Sequence, residues 1–365
     1  MIPTPEFLER EYEASEVAAL VDLSRMLTHI KNEKEQAVMG RAALRKLWRD
    51  ELTYIEKTHW LLKQKKPGPP TRLKLNYAQR RFYDDVIRRS REEGIPIRAV
   101  ILKARQLGYS TFVQSWQYEQ CDREANRAAL TLSFDDPSSL ELFQKCRHLH
   151  RRMWFPRETG RDSGTVLEMK DHNSQFMVRT SGNLSAGRGD TYHHLHMSEV
   201  PMWKDAGETM LSAMQTVPEQ PETSVFIEST AKGAVGPFYD VWNQSERGEG
   251  FYIPFFAPWF WDPDYSIPFK STDLENAFMQ RVTTAERHLM DRHQLTPAQL
   301  HWRRRAIDSK CQGSEAKFRQ EYPSTAREAF LTSGSPVFNA DRIAMLEENS
   351  TRPMWVGDIL LEIVG

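Results

Sequence analysis

The spacing of apolar residues divides the chain into three parts. In residues 1 to about 62, apolar side chains recur at three- and four-residue intervals, as in Val17, Leu20 and Val21, which predicts amphipathic helices. From Leu75 the pattern changes to short continuous apolar runs that alternate with helical stretches. After about residue 270 helical spacing returns, in residues 273–293 and 297–308. The pattern therefore predicts an α/β core between two helical segments.

The central part predicts a mostly parallel sheet with helices on both faces. Its apolar runs are the expected strands: residues 98–102, 128–134, 192–197, 224–228 and, as a buried strand with an aromatic exit, 251–261. The expected helices are 110–123 and 137–153, and the expected hairpin is 166–169 with 175–180. Because parallel strands connected by helices all end at one edge of the sheet, ligands are expected beyond those carboxyl ends.

The composition is that of an ordinary globular protein, with 39% hydrophobic and 27% charged residues in a chain of 365. No apolar run is long enough for a membrane helix, and the N-terminus lacks the basic start and apolar centre of a secretion signal. The three cysteines, Cys121, Cys146 and Cys311, have no metal-binding spacing. They indicate buried thiols in a reducing, intracellular protein.

The net charge of −1 argues against a protein that coats nucleic acid through overall basicity. Contact with DNA would need local clusters instead. The candidate clusters are Arg80 and Arg81; Arg147, Arg151 and Arg152; and Arg303, Arg304 and Arg305. A solvated helix face is the simpler explanation of each single cluster, so charge alone does not indicate DNA binding.

A candidate phosphate-binding loop follows the first expected strand. Residues 103–111 read KARQLGYST, directly after a strand and at the start of a helix. In such loops backbone N–H groups and the helix N-terminus hold phosphates, and a lysine reaches the terminal ones. Compared with the usual GxxxxGK[ST], Lys103 replaces the first glycine and Tyr109 replaces the lysine, while Gly108 and Ser110 keep their places. Lys103 would supply the ammonium from the other end of the loop, and Ser110 would hold Mg²⁺, with Thr111 as its alternative. A strand–turn–helix with scattered basic residues explains this motif alone equally well.

A candidate catalytic carboxylate ends the strand at residues 192–197. A P-loop ATPase needs a carboxylate at the end of a neighbouring buried strand to orient or deprotonate the attacking water, and Glu199 has that position. The preceding position, usually an aspartate that binds Mg²⁺ through water, is Ser198. His194 and His196 share one face of this strand, but without a third ligand at suitable spacing they are better explained as packed strand residues.

Three weaker motifs accompany these two. Residues 228–233 (ESTAKG) follow another strand and suit a loop that senses the γ-phosphate, although any tight turn can read this way. Gln79 is a candidate reader of the adenine edge, with Tyr77 or Phe82 as a stacking surface, although a helix-surface glutamine is the simpler explanation. Residues 185–191 (SAGRGDT) form a glycine-rich loop with one cation or a plain surface turn. In combination, all five motifs follow the order and strand-end placement of one ATPase site.

These residues resemble the large terminase subunit of tailed double-stranded DNA bacteriophages over roughly residues 70 to 340. The resemblance is carried by KxRQxGxS at residues 103–110, Gly-Arg-Gly-x-Thr at 187–191, Ser-Glu at 198–199 and ESTAxG at 228–233. It continues in Phe238, Tyr239 and Trp242 and in QEYPSTAREAF at 320–330. It implies an ASCE-type P-loop ATPase fold that binds ATP and Mg²⁺, with four parts: a helical N-terminal segment (1–66), the ATPase core (67–270), a helical lid (271–335) and a linker (336–365) toward a further nuclease domain. A basic, proline-rich stretch at 63–70 fits the first boundary.

The resemblance also implies a role for each matching residue. Glu199 would be the catalytic carboxylate, Lys103 the phosphate-binding lysine, and Arg105 the arginine that steadies transition-state charge. The residues expected to contact ATP are Gln79, Lys103, Ala104, Arg105, Gln106, Gly108, Tyr109, Ser110 and Thr111. Mg²⁺ would be held by Ser110 and, through water, by Ser198, while Ser229, Thr230 and Ala231 would couple hydrolysis to DNA movement.

The implied function is an ATP-driven motor that packages double-stranded viral DNA into a procapsid. Its implied partners are the DNA, the portal protein, the small terminase subunit and further copies of the chain in a ring, a pentamer by the family pattern. No membrane is involved, and the implied location is the host cytoplasm at the procapsid portal. No acidic nuclease cluster is present in the sequence, so nuclease activity is not assigned. Two alternatives stay open: a nucleotide-binding assembly module with little turnover, motivated by Tyr109 and Ser198, and a helicase or remodeller, although only one ATPase core is visible.

Overall fold

The computed structural model describes residues 4–61, 68, 71–182 and 190–330. Within these ranges the α-helices are α1 (Pro5–Glu11), α2 (Ala14–Thr28), α3 (Glu33–Leu47), α4 (Glu51–Thr58), α5 (Tyr77–Phe82), α6 (Arg89–Glu92), α7 (Tyr109–Arg123), α8 (Asp136–Arg152), α9 (Ala206–Met214), α10 (Pro237–Glu246), α11 (Thr272–Met279), α12 (Thr284–His293), α13 (Pro297–Lys310), α14 (Glu315–Glu321) and α15 (Ala326–Phe330). The strands are β1 (Ile97–Lys103), β2 (Ala128–Ser133), β3 (Thr159–Asp162), β4 (Val166–Met169), β5 (Ser174–Thr180), β6 (His194–Ser198), β7 (Ser224–Ser229) and β8 (Ile253–Ala257).

The strands form one sheet in the order β3-β4-β5-β2-β6-β7-β1-β8. The six strands from β5 to β8 in that order pair in parallel, whereas β3 and β4 are antiparallel additions at one edge. Strand β7 lies between β1, which leads into the candidate phosphate loop, and β6, which leads to Glu199. The parallel sheet and the hairpin of β4 and β5 confirm the predicted α/β class. The predicted strand at 224–228 lies between the strand that leads to the phosphate loop and the strand that leads to Glu199.

Most predicted elements are present with small changes at their ends. The stretch 273–293, predicted as one helix, is two helices, because Thr283 caps a new one with a reciprocal bond to Glu286. The strand predicted at 251–261 is shorter: β8 is a half-buried edge strand that starts at Ile253, and Phe251 is exposed. Elements that the apolar spacing did not predict include α9, α10 and the helix of residues 77–92. The helix of residues 77–92 consists of α5, a π-helical stretch (Tyr83–Arg88) and α6.

Helix α7 is buried on nearly all sides, which explains why its sequence has no amphipathic stripe. On one side it faces the sheet, and at its C-terminal end it contacts the N-terminal helices through charged groups. Arg45 of α3 donates to Glu119 at 2.6 Å and to Asp122 at 2.5 Å, and neither carboxylate side chain is exposed. Leu52 and Ile55 of α4 also belong to the apolar core around β1. The N-terminal helices are therefore packed against the sheet domain through both apolar and ionic contacts.

All three cysteines are buried free thiols, as predicted. Among the helices of the described ranges, none has the length and apolarity that crossing a membrane requires.

Replacing Arg45 by methionine is expected to destabilise the fold strongly. The substitution keeps an apolar stem but removes the hydrogen bonds of Arg45 to two buried carboxylates. Among the described residues, Glu119 then keeps only Arg123 at 3.0 Å as a cationic partner, and Asp122 keeps only Arg157 at 3.3 Å. A hydrogen bond to a charged group contributes about 1.5–3 kcal/mol. Urea unfolding followed by circular dichroism measures the change. The matched control is Arg25→Met, because Arg25 forms an exposed pair with Asp22 at 3.7 Å, and it should cost below about 0.5 kcal/mol. Equal costs for the two variants would contradict a structural role for the buried pair.

Candidate functional site

The loop between β1 and α7 closes tightly over the end of the sheet. Strand β1 ends at Lys103, and the next N–H, that of Ala104, donates to the carbonyl of Ala257 on β8 at 2.9 Å. Gln106 (φ 58°) and Gly108 (φ 76°) take left-handed backbone conformations that turn the chain into α7. The first N–H groups of α7 then have no acceptor within the helix and face outward from its N-terminus. This is the backbone arrangement that holds phosphate groups.

Gln79 fixes the loop from the side of α5. Its Nε2 donates to the carbonyl of Gly108 at 2.9 Å, and its Oε1 accepts from the backbone N–H of Asn76 at 3.0 Å. The Asn76 side chain in turn donates to the carbonyl of Leu107 at 3.0 Å. The Gln79 amide is buried and engaged at both ends, so its contact with adenine stays a prediction that would require it to leave these partners. The Asn-x-x-Gln spacing is typical of a capping box, and it was the sequence signal that Asn76 and Gln79 bind each other at the start of α5.

The side chain of Tyr109 lies in the hydrophobic core and not at the mouth of the loop. It is 1% exposed, packs edge-to-face against Phe82 at 5.8 Å between ring centroids, and donates its hydroxyl to the carbonyl of Ala78. Only its backbone N–H is placed for phosphate contact. Phe82 is also fully buried, so it offers no stacking surface, whereas Tyr77 is half exposed. The residue that replaces the usual lysine therefore anchors the helix.

The ammonium of Lys103 joins carboxylates from two neighbouring strands. Its Nζ lies 3.1 Å from Oε1 of Glu199, which follows β6, and 3.0 Å from Oε1 of Glu228 on β7. Lys103 is 6% exposed. Burial alone would lower the pKa of Lys103, but Glu228 and Glu199 outweigh it and raise the pKa above its usual value, so the lysine stays charged.

Glu199 stands at the mouth of the site in a constrained conformation. Its backbone is left-handed (φ 55°), which non-glycine residues rarely adopt, and its N–H donates to the carbonyl of Glu228 at 2.8 Å. Oε2 of Glu199 accepts from the Ser229 hydroxyl at 2.8 Å. The side chain is 27% exposed, so solvent reaches it. A carboxylate that is held in place and open to water has the geometry of a general base.

Glu228 begins the ESTAKG motif, but the sequence analysis gave its side chain no role of its own. Its carboxylate is fully buried and accepts from Ser110 Oγ at 3.1 Å to each oxygen, from Ser198 Oγ at 3.3 Å and from His196 Nε2 at 3.2 Å. Burial alone would raise the pKa of Glu228, but Lys103 and His196 hold it well below its usual range. The site therefore contains two carboxylates, one open to solvent and one enclosed.

Arg105 leaves the loop toward the helical C-terminal part. Its side chain is 59% exposed and pairs with Glu321 of α14 at 3.1 Å, while its backbone N–H donates to the carbonyl of the same residue at 2.8 Å. Tyr265 donates its hydroxyl to the carbonyl of Arg105 at 2.6 Å. In parallel, Gln320 of α14 donates to the carbonyl of Ala231 at 3.3 Å. The loop and the segment after β7 are thus both tied to α14.

The remaining predicted residues are placed as follows. Thr111 and Thr230 are half-buried beside the site, in the first turn of α7 and directly after β7. Residues 183–189, which contain most of the glycine-rich loop around Arg188, and residues 331–365 lie outside the described residues. Within the described ranges, no group of three or more His, Cys, Asp or Glu side chains has the arrangement of a metal site. His194 faces Ser224 instead, with Nδ1 and Oγ 3.1 Å apart.

The arginine clusters considered for DNA contact are largely neutralised within the chain. The pairs are Arg80 with Glu56, Arg81 with Asp85, Arg147 and Arg151 with Asp162, Arg303 with Glu315, and Arg304 with Glu286. Arg152 lies 5.9 Å from the Trp60 ring centroid. Six of these eight arginines are therefore paired within the chain, and the structure singles out none of the clusters as a DNA contact.

Replacing Gly108 by alanine is expected to destabilise the protein more than replacing Gly94. Both glycines have positive φ, which costs alanine about 1–2 kcal/mol, but a Cβ at Gly94 meets nothing within 4 Å, whereas one at Gly108 would lie 2.8 Å from Gln79 Nε2. Displacing that amide forfeits a hydrogen bond worth about 1 kcal/mol more. Urea unfolding of both variants measures the difference. Adding Gln79→Ala to Gly108→Ala should remove the excess, and purely additive costs would argue against the contact.

No protein-family model matches the chain, and no curated protein matches it. Among solved structures, the bacteriophage HK97 large terminase aligns with a TM-score of 0.52 at 12% identity, over 75% of this chain and 54% of the terminase. The chain thus spans about half the length of that protein.

Two further solved structures are similar at lower scores. The large terminase ATPase domain of Thermus phage P74-26 aligns with a TM-score of 0.38 at 16% identity, over 62% of this chain and 86% of that domain. The large terminase of thermophilic bacteriophage D6E, solved in complex with ADP, aligns with a TM-score of 0.39 at 11% identity, over 57% of this chain and 50% of that one. Together with the strand order, the HK97 alignment shows that the chain shares the α/β fold of that large terminase.

Proposed function

We propose that this chain is the ATPase half of a phage large terminase and hydrolyses ATP to drive double-stranded DNA into a procapsid. The observation that carries the proposal is the position of Lys103. Its ammonium lies at the end of β1, beside the N-terminus of α7, between carboxylates from two adjacent strands. A phosphate-binding backbone, a buried cation and a solvent-accessible carboxylate are the parts that phosphoryl transfer to water requires.

The residues present fit ATP and Mg²⁺. The outward N–H groups of α7 and the Lys103 ammonium would bind the phosphates, and the Ser110 hydroxyl would offer Mg²⁺ an oxygen ligand. When bound, Mg²⁺ neutralises charge on the phosphates. Glu199 orients the attacking water and accepts its proton, and the Ser229 hydroxyl keeps that carboxylate directed at the mouth of the site.

The contacts of α14 support coupling between the site and the helical C-terminal part. Ser229 contacts the catalytic carboxylate, and two residues later Ala231 contacts Gln320. On the other side of the site, Arg105 contacts Glu321 of the same helix. A shift of Glu199 on hydrolysis would therefore reach α14 by two short routes. One runs through Ser229 and Ala231 to Gln320, and the other runs through Lys103 and Arg105 to Glu321. We propose residues 271–335 as the lid that moves, residues 67–270 as the ATPase core, residues 1–66 as the N-terminal helical segment and 336–365 as a linker.

The partners proposed on the same grounds are linear duplex DNA, a portal protein, a small terminase subunit and further copies of the chain in a ring at the procapsid in the host cytoplasm. Arg105 fits a ring, because more than half of its side chain is exposed and an exposed arginine can act within its own subunit or toward a neighbour.

Replacing Glu199 by glutamine is expected to reduce the ATP hydrolysis rate by about 10²–10⁴, because the amide cannot accept the proton of water. ATP affinity should change little, since Lys103 and the α7 N-terminus remain. Phosphate release with Mg²⁺, with and without linear duplex DNA, measures the rate, and calorimetry measures binding. Glu246→Gln, an exposed glutamate of α10, is the control and should match the unmodified protein. Full activity in Glu199→Gln would refute the assignment; binding without turnover in the unmodified protein, even with DNA and partners present, would favour an assembly module.

Replacing Arg105 by alanine is expected to lower kcat by about 10³ or more while ATP affinity changes less than tenfold. Arginines of this kind act on transition-state charge more than on the bound nucleotide. Arg247 supplies the matched control, because it is similarly exposed and forms an ion pair with Glu249 at 3.3 Å, yet it lies on the far end of α10. Arg247→Ala should leave kcat unchanged. An unchanged kcat in Arg105→Ala, measured on the assembled motor with DNA, would remove this residue from the mechanism.

A further inference from the structure

The position that normally carries the magnesium-binding aspartate holds no charge in this chain. P-loop ATPases place that carboxylate on the strand that leads to the catalytic residue, one position before the catalytic glutamate, which is Ser198 here. The Ser198 hydroxyl is 3% exposed and donates its proton to Glu228 at 3.3 Å. Mg²⁺ binds most readily where carboxylate oxygens offset its charge. If the chain binds Mg²⁺ with nucleotide, as its proposed function requires, the negative charge has to come from another residue.

Glu228 is beside that position on the neighbouring strand. The parallel pairing of β6 with β7 places Glu228 directly opposite Ser198, and the pairing of β7 with β1 places it opposite Ile101, two residues before Lys103. Paired residues of adjacent strands direct their side chains to the same face, and the contact with Ser110 shows that α7 covers this face. The Glu228 carboxylate therefore lies between the lysine and the serine of the phosphate loop.

The contact between Glu228 and Ser110 is the one that a metal-orienting carboxylate makes. Ser110 donates its single hydroxyl proton to Glu228, at 3.1 Å from both carboxylate oxygens. A hydroxyl that gives its proton inward keeps its oxygen lone pairs for a cation on the other side. Carboxylates that hold metal ligands in this way are worth 10–100-fold in metal affinity in other proteins.

Glu199 is not available for this task. Its side chain is partly exposed, turned to the mouth by its left-handed backbone, and bound to Ser229 and not to Ser110. The two glutamates share Lys103 but differ in every other partner. We infer that Glu228 takes the place of the missing aspartate: it orients Ser110 and supplies the charge that holds Mg²⁺, while Glu199 acts on water. This inference rests on the proposed ATPase function.

The test compares how strongly Mg²⁺ supports ADP binding in variants of the two glutamates. Calorimetry gives the Kd of ADP in EDTA and in Mg²⁺, and their ratio reports the contribution of the metal without any turnover. Glu228→Gln is expected to lower this ratio about tenfold or more, with the Kd in EDTA little changed. Glu199→Gln should stay within about threefold of the unmodified protein. This comparison separates a metal role from a merely structural one, because both variants remove one partner of Lys103.

Two further variants keep the test decisive if Glu228→Gln folds poorly. Glu228→Asp retains the charge beside Lys103 but withdraws the carboxylate by one methylene, and it should still lower the ratio severalfold. Ser198→Asp combined with Glu228→Gln returns a carboxylate to β6 and should restore the ratio. The inference is overturned if folded Glu228→Gln or Glu228→Asp keeps the full ratio, or if Glu199→Gln lowers it equally. Failure of the unmodified protein to bind ADP under either condition would instead overturn the proposed function itself.

Discussion

The arrangement of the site depends on one buried cation. Lys103 is almost inaccessible to solvent, and an unpaired ammonium in that position would be costly, so its two carboxylate partners are a condition of its presence there. The partners come from the ends of β6 and β7, which are adjacent in the sheet, and β7 is also adjacent to β1. The strand order is therefore what makes the charge balance possible. With β7 elsewhere, Lys103 would lose the partner that has no exposure to water.

Because Lys103 contacts both carboxylates, any ligand that draws its ammonium toward itself weakens an ion pair of each carboxylate. Glu199 would lose one of its two fixed contacts and keep Ser229, whereas Glu228 would keep Ser110, Ser198 and His196. The exposed carboxylate is thus the more responsive of the two, and it is the one linked through Ser229 and Ala231 to α14. The C-terminal end of helix α7 is fixed by Arg45, which ties it to the N-terminal helices. The site therefore lies between α7, which is fixed to the N-terminal helices, and the short helix α14.

The sequence predicted the parts of this site that lie within continuous motifs. Lys103, Gly108 and Ser110 occur in one loop whose strand–turn–helix context is readable from apolar spacing, and Glu199 ends a recognisable buried strand. Glu228 was not predictable in the same way, because its importance comes from the insertion of β7 between β1 and β6, and strand order is not encoded in any local pattern. Gln79 shows a different limit. Its contact with adenine stays a prediction, but its spacing from Asn76 matches a capping box, and in the structure its amide is bound to the loop backbone.

The replacement of aspartate by serine at position 198 follows from the same geometry. An aspartate there would place a third carboxylate beside Glu228, opposite it in the β6–β7 register, with one lysine to balance all three. Like charges at such a distance in a buried site disfavour full ionisation, and one carboxylate would take up a proton. A serine avoids this and donates a hydrogen bond to Glu228 instead. A serine at position 198 therefore suits a glutamate at position 228, because it adds a hydrogen bond to that carboxylate and no charge. A site of this type can place its second carboxylate at position 198 or at position 228, because one lysine does not balance carboxylates at both positions in addition to Glu199.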